Sequence, residues 1–286
     1  MSAASAARAA EGGTAPTVRR LLVINPNTSV AVSALLQRHV QAAAGPQVAV
    51  RTVTARFGAP YIACEASYAV AGHAVLDAWA AALADATPPG GAPPGAQEHG
   101  APDAVLIGCF GDPGLLALRE CSPVPVTGLA EAAFIAAARH GRFGIVTGGE
   151  RWGPMLQRLA HALGHAPALA GIHTVAPSGA QLAADPVAAQ ALLARACQGM
   201  ARQPGVRAVV LGGAGLAGMA QAVQPEVDVP VIDSVAAGAG WALQAPAPAA
   251  ARALRSAAGC DAVWEGLSPE LAGLGRARGP HGGPGG

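Results

Sequence analysis

Residues Ala104–Glu120 read AVLIGCFGDPGLLALRE, and this stretch decides the fold. A short apolar run stops at the thiol of Cys109, a Gly-Asp-Pro-Gly turn follows, and a helical pattern starts at once. A strand without polar alternation is buried on both faces, which places it in a parallel sheet covered by helices. Ligands of such sheets bind beyond the carboxyl ends of the strands, where Cys109 stands. The plan recurs at Arg207–Met219, RAVVLGGAGLAGM: apolar strand, small residues, helix start. Two such turns imply two related halves that face each other across a site.

The same alternation extends along the chain. Short apolar runs at 20–25, 47–53, 104–109, 124–128, 142–147, 171–175, 207–213 and 229–233 read as strands. Helical stretches separate them near 28–43, 65–86, 113–121, 129–139, 150–163, 178–202, 214–224 and 234–257. Strand–helix alternation of this kind is the mark of an α/β protein. Polar and unusual residues collect at the strand ends: INPNTS after the first, TARFGAPYIACEAS after the second, VTGGERWG after the fifth and IDSVAAG after the eighth. The Ala- or Gly/Pro-rich ends, 1–18 and 268–286, read as disordered tails, and TPPGGAPPGAQEHGAP at 87–102 as a surface-loop insertion.

Composition removes several functional classes. Hydrophobic residues make up 52% of the chain and aromatics 3%, so Ala, Val, Leu and Ile must build the core. The formal charge is +1 with no basic cluster, which argues against a nucleic-acid partner. No apolar stretch reaches membrane-spanning length, so no membrane partner is expected. Arg19-Arg20 is followed by only four apolar residues before Asn25-Pro26-Asn27, too few for a twin-arginine signal, and a cytoplasmic protein is expected. All 18 basic residues are Arg. Without a lysine there is no pyridoxal phosphate Schiff base, no Walker A loop and no lysine aldolase. Cys64, Cys109, Cys121, Cys197 and Cys260 are scattered and odd in number, which argues against a disulfide framework and a zinc site. The eight His form no H-E-x-x-H arrangement, so no metal is expected.

Local chemistry leaves each candidate residue two readings. A thiol at a helix N-terminus is lowered towards neutral pH and can serve as nucleophile or carbon-acid base; Cys109 could equally be a small buried hydrophobe. Asn25, Asn27, Thr28 and Ser29 could cradle a carboxylate or imide oxygen, or merely cap the next helix. Thr147 with Gly148 and Gly149 repeats that choice. Asp112 reads as the cap of the helix that follows it, with Pro113 at its first position, and Asp233 and Ser234 read as caps of the C-terminal helix. Cys64 follows GAPYIA in a strand-end loop and could line the cleft.

Together INPNTS, CFGDPGLLALRE, PVTGLAEAA, RFGIVT, LGGAGLAG and VPVIDSVAA, in that order over Leu21–Trp241, resemble the aspartate/glutamate racemase superfamily, in its hydantoin racemase branch. The resemblance implies two pseudosymmetric α/β domains with mainly parallel four-stranded sheets and an active site in the cleft between them. The domains would be 19–127 plus 234–267, and 128–233. It further implies cofactor-independent racemisation or epimerisation of a hydantoin, ureide or amino-acid derivative, with two cysteines exchanging protons on opposite faces of a small-molecule substrate. Cys109 would be the first thiol, and Asn25, Asn27, Thr28, Phe110, Thr147 and Ala214 would hold the substrate. The side-chain pocket would draw on positions such as Phe57, Tyr61, Tyr68 and Trp152. The sequence departs from the family at one place: the second cysteine, written LGCAGM, is Gly213 here. Glycine transfers no proton. Two alternatives therefore stand beside the racemase: a one-thiol decarboxylase of a malonate-type acid, and a non-catalytic ligand-binding homologue. A homo-oligomer is compatible with the sequence but not specified by it.

Overall fold

The computed structural model describes residues 18–86, 100–244 and 264–276. Most of the expected N-terminal tail and of the 87–102 insertion, the expected helix beyond Gln244, and Cys260 lie outside the described residues.

Two all-parallel four-stranded sheets carry the fold. In the first, the order is β2 (Val48–Thr54), β1 (Arg19–Asn25), β3 (Ala104–Ile107), β4 (Val126–Gly128). In the second it is β6 (Leu169–Val175), β5 (Phe143–Gly148), β7 (Ala208–Gly212), β8 (Val231–Asp233). The orders match strand for strand, so the halves repeat one topology, as the paired turns anticipate. In each sheet the chain winds outward in both directions from its two central strands. The crevice beyond β1 and β3, and that beyond β5 and β7, are the topological switch points where α/β sheets bind ligands. Every residue of β3, β5 and β7 is buried, which explains their unbroken apolar runs.

The helices are α1 (Val30–Ala44), α2 (Glu65–Ala86), α3 (Leu115–Cys121), α4 (Leu129–Ala138), α5 (Trp152–Ala162), α6 (Gly179–Ala184), α7 (Pro186–Ala201), α8 (Met219–Val223), α9 (Ser234–Gln244) and α10 (Pro269–Arg276). Helix α4, LAEAAFIAAA, is apolar nearly all round and buries seven of its ten residues. Such a helix needs cover on more than one side, and it lies against α9, β7 and β8. There Phe134 stacks between Phe110 and Phe143, with ring centroids 6.1 and 5.7 Å away, so one core runs through both halves. No helix among the described residues is long and apolar enough to cross a membrane.

Three expectations need correction. The helix expected over 178–202 breaks into α6 and α7, because Asp185 caps the second piece and Pro186 cannot continue the first. The stretch 214–224 begins as a 3-10 turn, Ala214–Leu216, and becomes helical only after Gly218. Residues 269–276, expected to be disordered, form α10 against α2. Glu270 there pairs with Arg56, which also bonds the buried Asp77, and Leu271 is buried.

Candidate active site

The loops after the four central strands converge on one cavity of about 80 Å³. Asn27 and Ser29 come from β1, Gly108, Cys109 and Phe110 from β3, Thr147 and Gly148 from β5, and Gly212 to Leu216 from β7. Pro60, Tyr61 and Ile62 close one side from the loop after β2, and Trp152 enters from α5. Tyr61 spans the two halves, its hydroxyl donating to the Gly148 carbonyl at 3.4 Å.

Six of the eight residues singled out from sequence line this cavity: Asn27, Cys109, Phe110, Thr147, Gly213 and Ala214. Asn25 and Thr28 stand behind it. Asn25 is fully buried and its Nδ2 reaches Asn27 Oδ1, the Ser29 carbonyl and Ser33 Oγ, each at 3.0 Å. Its Oδ1 accepts from the Asn27 amide at 3.3 Å, so this side chain is consumed in shaping the loop. Thr28 ties its amide to the Ala59 carbonyl at 3.2 Å. Ser29, not Thr28, caps α1, accepting from the Val32 amide. Asn27 is held differently: its Oδ1 accepts from Asn25 and from the Ser29 amide, which leaves Nδ2 as a donor toward the cavity. Tyr61 and Trp152 line the cavity as anticipated, whereas Phe57 and Tyr68 do not. Gly148 enters beside Thr147 and Pro60 and Ile62 from the GAPYIA loop, whereas Gly179 carries no sequence signal of its own and only the topology brings it in.

Cys109 is buried, with 8% of the residue exposed. Burial, and next the charge of Asp112, push it well above the usual thiol range. The expectation of a thiol lowered by a helix N-terminus is therefore overturned. Helix α3 begins only at Leu115, and the loop between keeps the dipole away from the sulfur. Asp112 does not cap α3 either. It takes the only positive φ of a non-glycine residue among those described, 52°, and turns its carboxylate to α4. There Oδ1 accepts from the Ala130 amide at 2.9 Å and Oδ2 from the Glu131 amide at 2.8 Å.

The thiol that does feel a helix start is Cys64, immediately before α2, where its carbonyl accepts from the Tyr68 amide. Hydrogen bonds from Ser67 first, then the Ala66 amide and the charge of Arg151, hold it below the usual range. It does not line the cavity. Cys197 is a free thiol buried in the second half, and Cys121 is disulfide-bonded, a contact that spacing in the sequence gave no means of seeing.

Gly213, opposite, has φ 143° and ψ 134°, a conformation that side-chain-bearing residues rarely adopt. A Cβ there would meet Leu216 Cγ at 3.4 Å, an ordinary contact, so the obstacle to a side chain is backbone strain rather than space. Among the described residues, Cys109 and Tyr61 are the titratable side chains of the lining. Among the described residues no three His, Cys, Asp or Glu side chains gather into a metal-binding group.

Comparison with known proteins matches this architecture. The model of the Asp/Glu/Hydantoin racemase family matches residues 21–242. A hydantoin racemase of Paenarthrobacter aurescens is 31% identical over 223 residues, 76% of this chain and 87% of the relative. Another, from Pseudomonas sp. (strain NS671), is 29% identical over 224 residues, 78% of this chain and 84% of the relative. The solved allantoin racemase from Klebsiella pneumoniae superposes with a TM-score of 0.69 at 31% identity, covering 89% of this chain and 93% of that one.

Proposed function

The chain belongs to the Asp/Glu/Hydantoin racemase family, and on that premise we propose that it moves a proton at a carbon acid of a small cyclic ureide or related amino-acid derivative, without a cofactor. The observation that carries this reading is that Cys109 lines one cavity with Asn27 and Thr147, two residues with hydrogen-bond donors, at the switch points of both sheets. Cavities for drug-sized ligands span several hundred Å³; about 80 Å³ suits a compact ring. The hydantoin and allantoin racemases among its relatives point to the same class.

In this mechanism the carbonyl beside the reacting carbon lies against Asn27 Nδ2 and the Thr147 hydroxyl. The Cys109 thiolate takes the proton from carbon, and the C–H electron pair moves into the enolate, whose oxygen those donors stabilise. The thiol then returns a proton to the same carbon. Gly213, where the second thiol would stand, offers no proton, so protonation from that side falls to water or another group of the lining.

A second reading draws on the raised thiol of Cys109. A group that rests protonated is suited to giving a proton first. In a malonate-type acid, loss of carbon dioxide leaves the C–C electron pair as an enolate, and Cys109 protonates it. Incubation in deuterium oxide separates the readings. Deuterium entering C5 of hydantoins or allantoin supports the first, and carbon dioxide release from an arylmalonate the second. Tight ligand binding with neither reaction identifies a non-catalytic homologue.

A further inference from the structure

We propose that Asp112 is a positioning residue for Cys109: its carboxylate fastens the thiol-bearing loop to the N-terminus of α4 and presents a buried negative charge to the sulfur. This role builds on the reading of Cys109 as the proton carrier.

The loop is held from several sides at this residue. The Asp112 amide donates to the Cys109 carbonyl at 3.1 Å, and its own carbonyl accepts from Leu115 at 3.2 Å. The carboxylate, on a residue only 1% exposed, occupies the space beside Gly128. A Cβ on Gly128 would fall 2.0 Å from Asp112 Cγ, so the glycine is what admits the carboxylate. A positive φ on a non-glycine residue persists only where the surroundings over-determine it. Helix α4 did not require such a cap. Ser, Thr or Asn at its own N-cap position, where Gly128 sits, would satisfy the same amides. A cap reaching in from 18 residues upstream serves the loop it comes from.

The charge has a consequence for the thiol. The titratable groups brought close to Asp112 are Cys109, whose carbonyl its amide reaches, Glu131, whose amide its carboxylate accepts from, and Tyr68, bonded to the neighbouring Gly111 carbonyl. Glu131 is itself engaged by Arg119 of α3 and by Thr127. Tyr68 donates its hydroxyl to the Gly111 carbonyl at 2.7 Å, closing the loop from the other side. No cation in this group contacts Asp112, so its anion acts on Cys109 without a counter-charge, and like charges disfavour one another's ionised form.

The test is the pH dependence of Cys109 alkylation by iodoacetamide, followed by peptide mass spectrometry, in the full chain and in Asp112→Asn. Asparagine tolerates the left-handed backbone, keeps one acceptor for α4 and removes the charge. The alkylation midpoint is expected to move down by about one pH unit or more, with faster amide exchange at Ala130 and Glu131. A purely structural cap would loosen those amides and label Cys109 faster at every pH, leaving the midpoint unmoved; that result overturns the proposal. A shifted midpoint with unaltered turnover supports the coupling and refutes Cys109 as the proton carrier. Should Asp112→Asn not fold, the wild type decides. Ionisation of Cys109 should perturb the Ala130 and Glu131 amide resonances through the Asp112 carboxylate at the alkylation midpoint, and resonances that stay flat through that midpoint contradict the proposal.

Discussion

Cys109 and Gly213 line one cavity from the ends of two central strands, β3 and β7, and only the first brings a proton-carrying side chain. The two halves repeat each other in strand order and diverge in chemistry at this pair. On the proposed reading, a side-chain proton carrier at this pair acts from the Cys109 face alone.

Cys109→Ser replaces the thiol with a weaker acid of similar size. Exchange at the substrate carbon should fall by about 10²–10⁴-fold, while the thermal midpoint changes little. Cys64→Ser, outside the cavity, should leave exchange within about threefold of wild type. Deuterium incorporation measured by mass spectrometry checks both, and an active Cys109→Ser protein removes the thiol from the mechanism.

The pH profile follows from the direction in which the buried thiol is pushed. If the thiolate is the base, as proposed, kcat/KM for exchange should still be rising beyond the usual thiol range of about 8.5. Decarboxylation draws on the protonated thiol and should stay flat across neutral pH instead. A plateau for exchange reached by about pH 7 contradicts a thiol raised by burial.

Asn25 and Asn27 should separate in their kinetics. Asn25→Ala strips the acceptor and donor that shape the loop after β1, and should lower stability by about 1–3 kcal/mol through groups left unpaired. Asn27→Ala removes the donor facing the cavity, and should lower kcat/KM at least about tenfold with a smaller change in stability. Urea unfolding with steady-state kinetics checks the pair. The opposite pattern would move substrate contact from Asn27 to Asn25.

Asp112 also links stability to pH. Its carboxyl is pushed up to about 7 by burial, offset by the α4 amides, against about 4 in an unfolded chain. The native state therefore binds the extra proton between these values. The contribution is full below about pH 4 and lost as pH rises through about 7, on the order of a few kcal/mol. Glu65, Asp77 and Glu270, all lowered by arginine partners, act in the other direction. The difference between wild type and Asp112→Asn isolates the term: unfolding free energies should converge or cross between about pH 5 and about pH 8. Parallel curves would show that Asp112 has no raised carboxyl.

Much of this was legible in AVLIGCFGDPGL and VVLGGAGLAG, because buried parallel strands ending in small residues leave an unbroken apolar run before a turn. The two sheets, their helical cover and six of the cavity residues follow from that pattern together with the family likeness. Asp112 was misplaced because local spacing favours capping the next helix, whereas its left-handed backbone aims the carboxylate at a helix 18 residues on. The state of the Cys109 thiol was misread for a related reason: the loop delays α3 to Leu115, and burial is a property of the whole core. Asn25 looked like a ligand because its neighbours are polar, yet its side-chain amide is spent on the loop and on Ser33 of α1. The break at Asp185-Pro186 did have a local signal, a cap residue followed by proline, inside the stretch read as one helix.

The central claim, one proton-carrying side chain on one face, is tested most directly by the ratio of inversion to solvent exchange. Single enantiomers of 5-substituted hydantoins, allantoin and amino acids are incubated in deuterium oxide. Chiral chromatography follows inversion and mass spectrometry follows exchange. Wild type should exchange one enantiomer at least about tenfold faster than it inverts it. Gly213→Cys should raise inversion relative to exchange, within the limit set by a backbone strain of about 1–3 kcal/mol at φ 143°. A wild type that inverts as fast as it exchanges has a second acid/base opposite Cys109, and the one-faced account is then wrong.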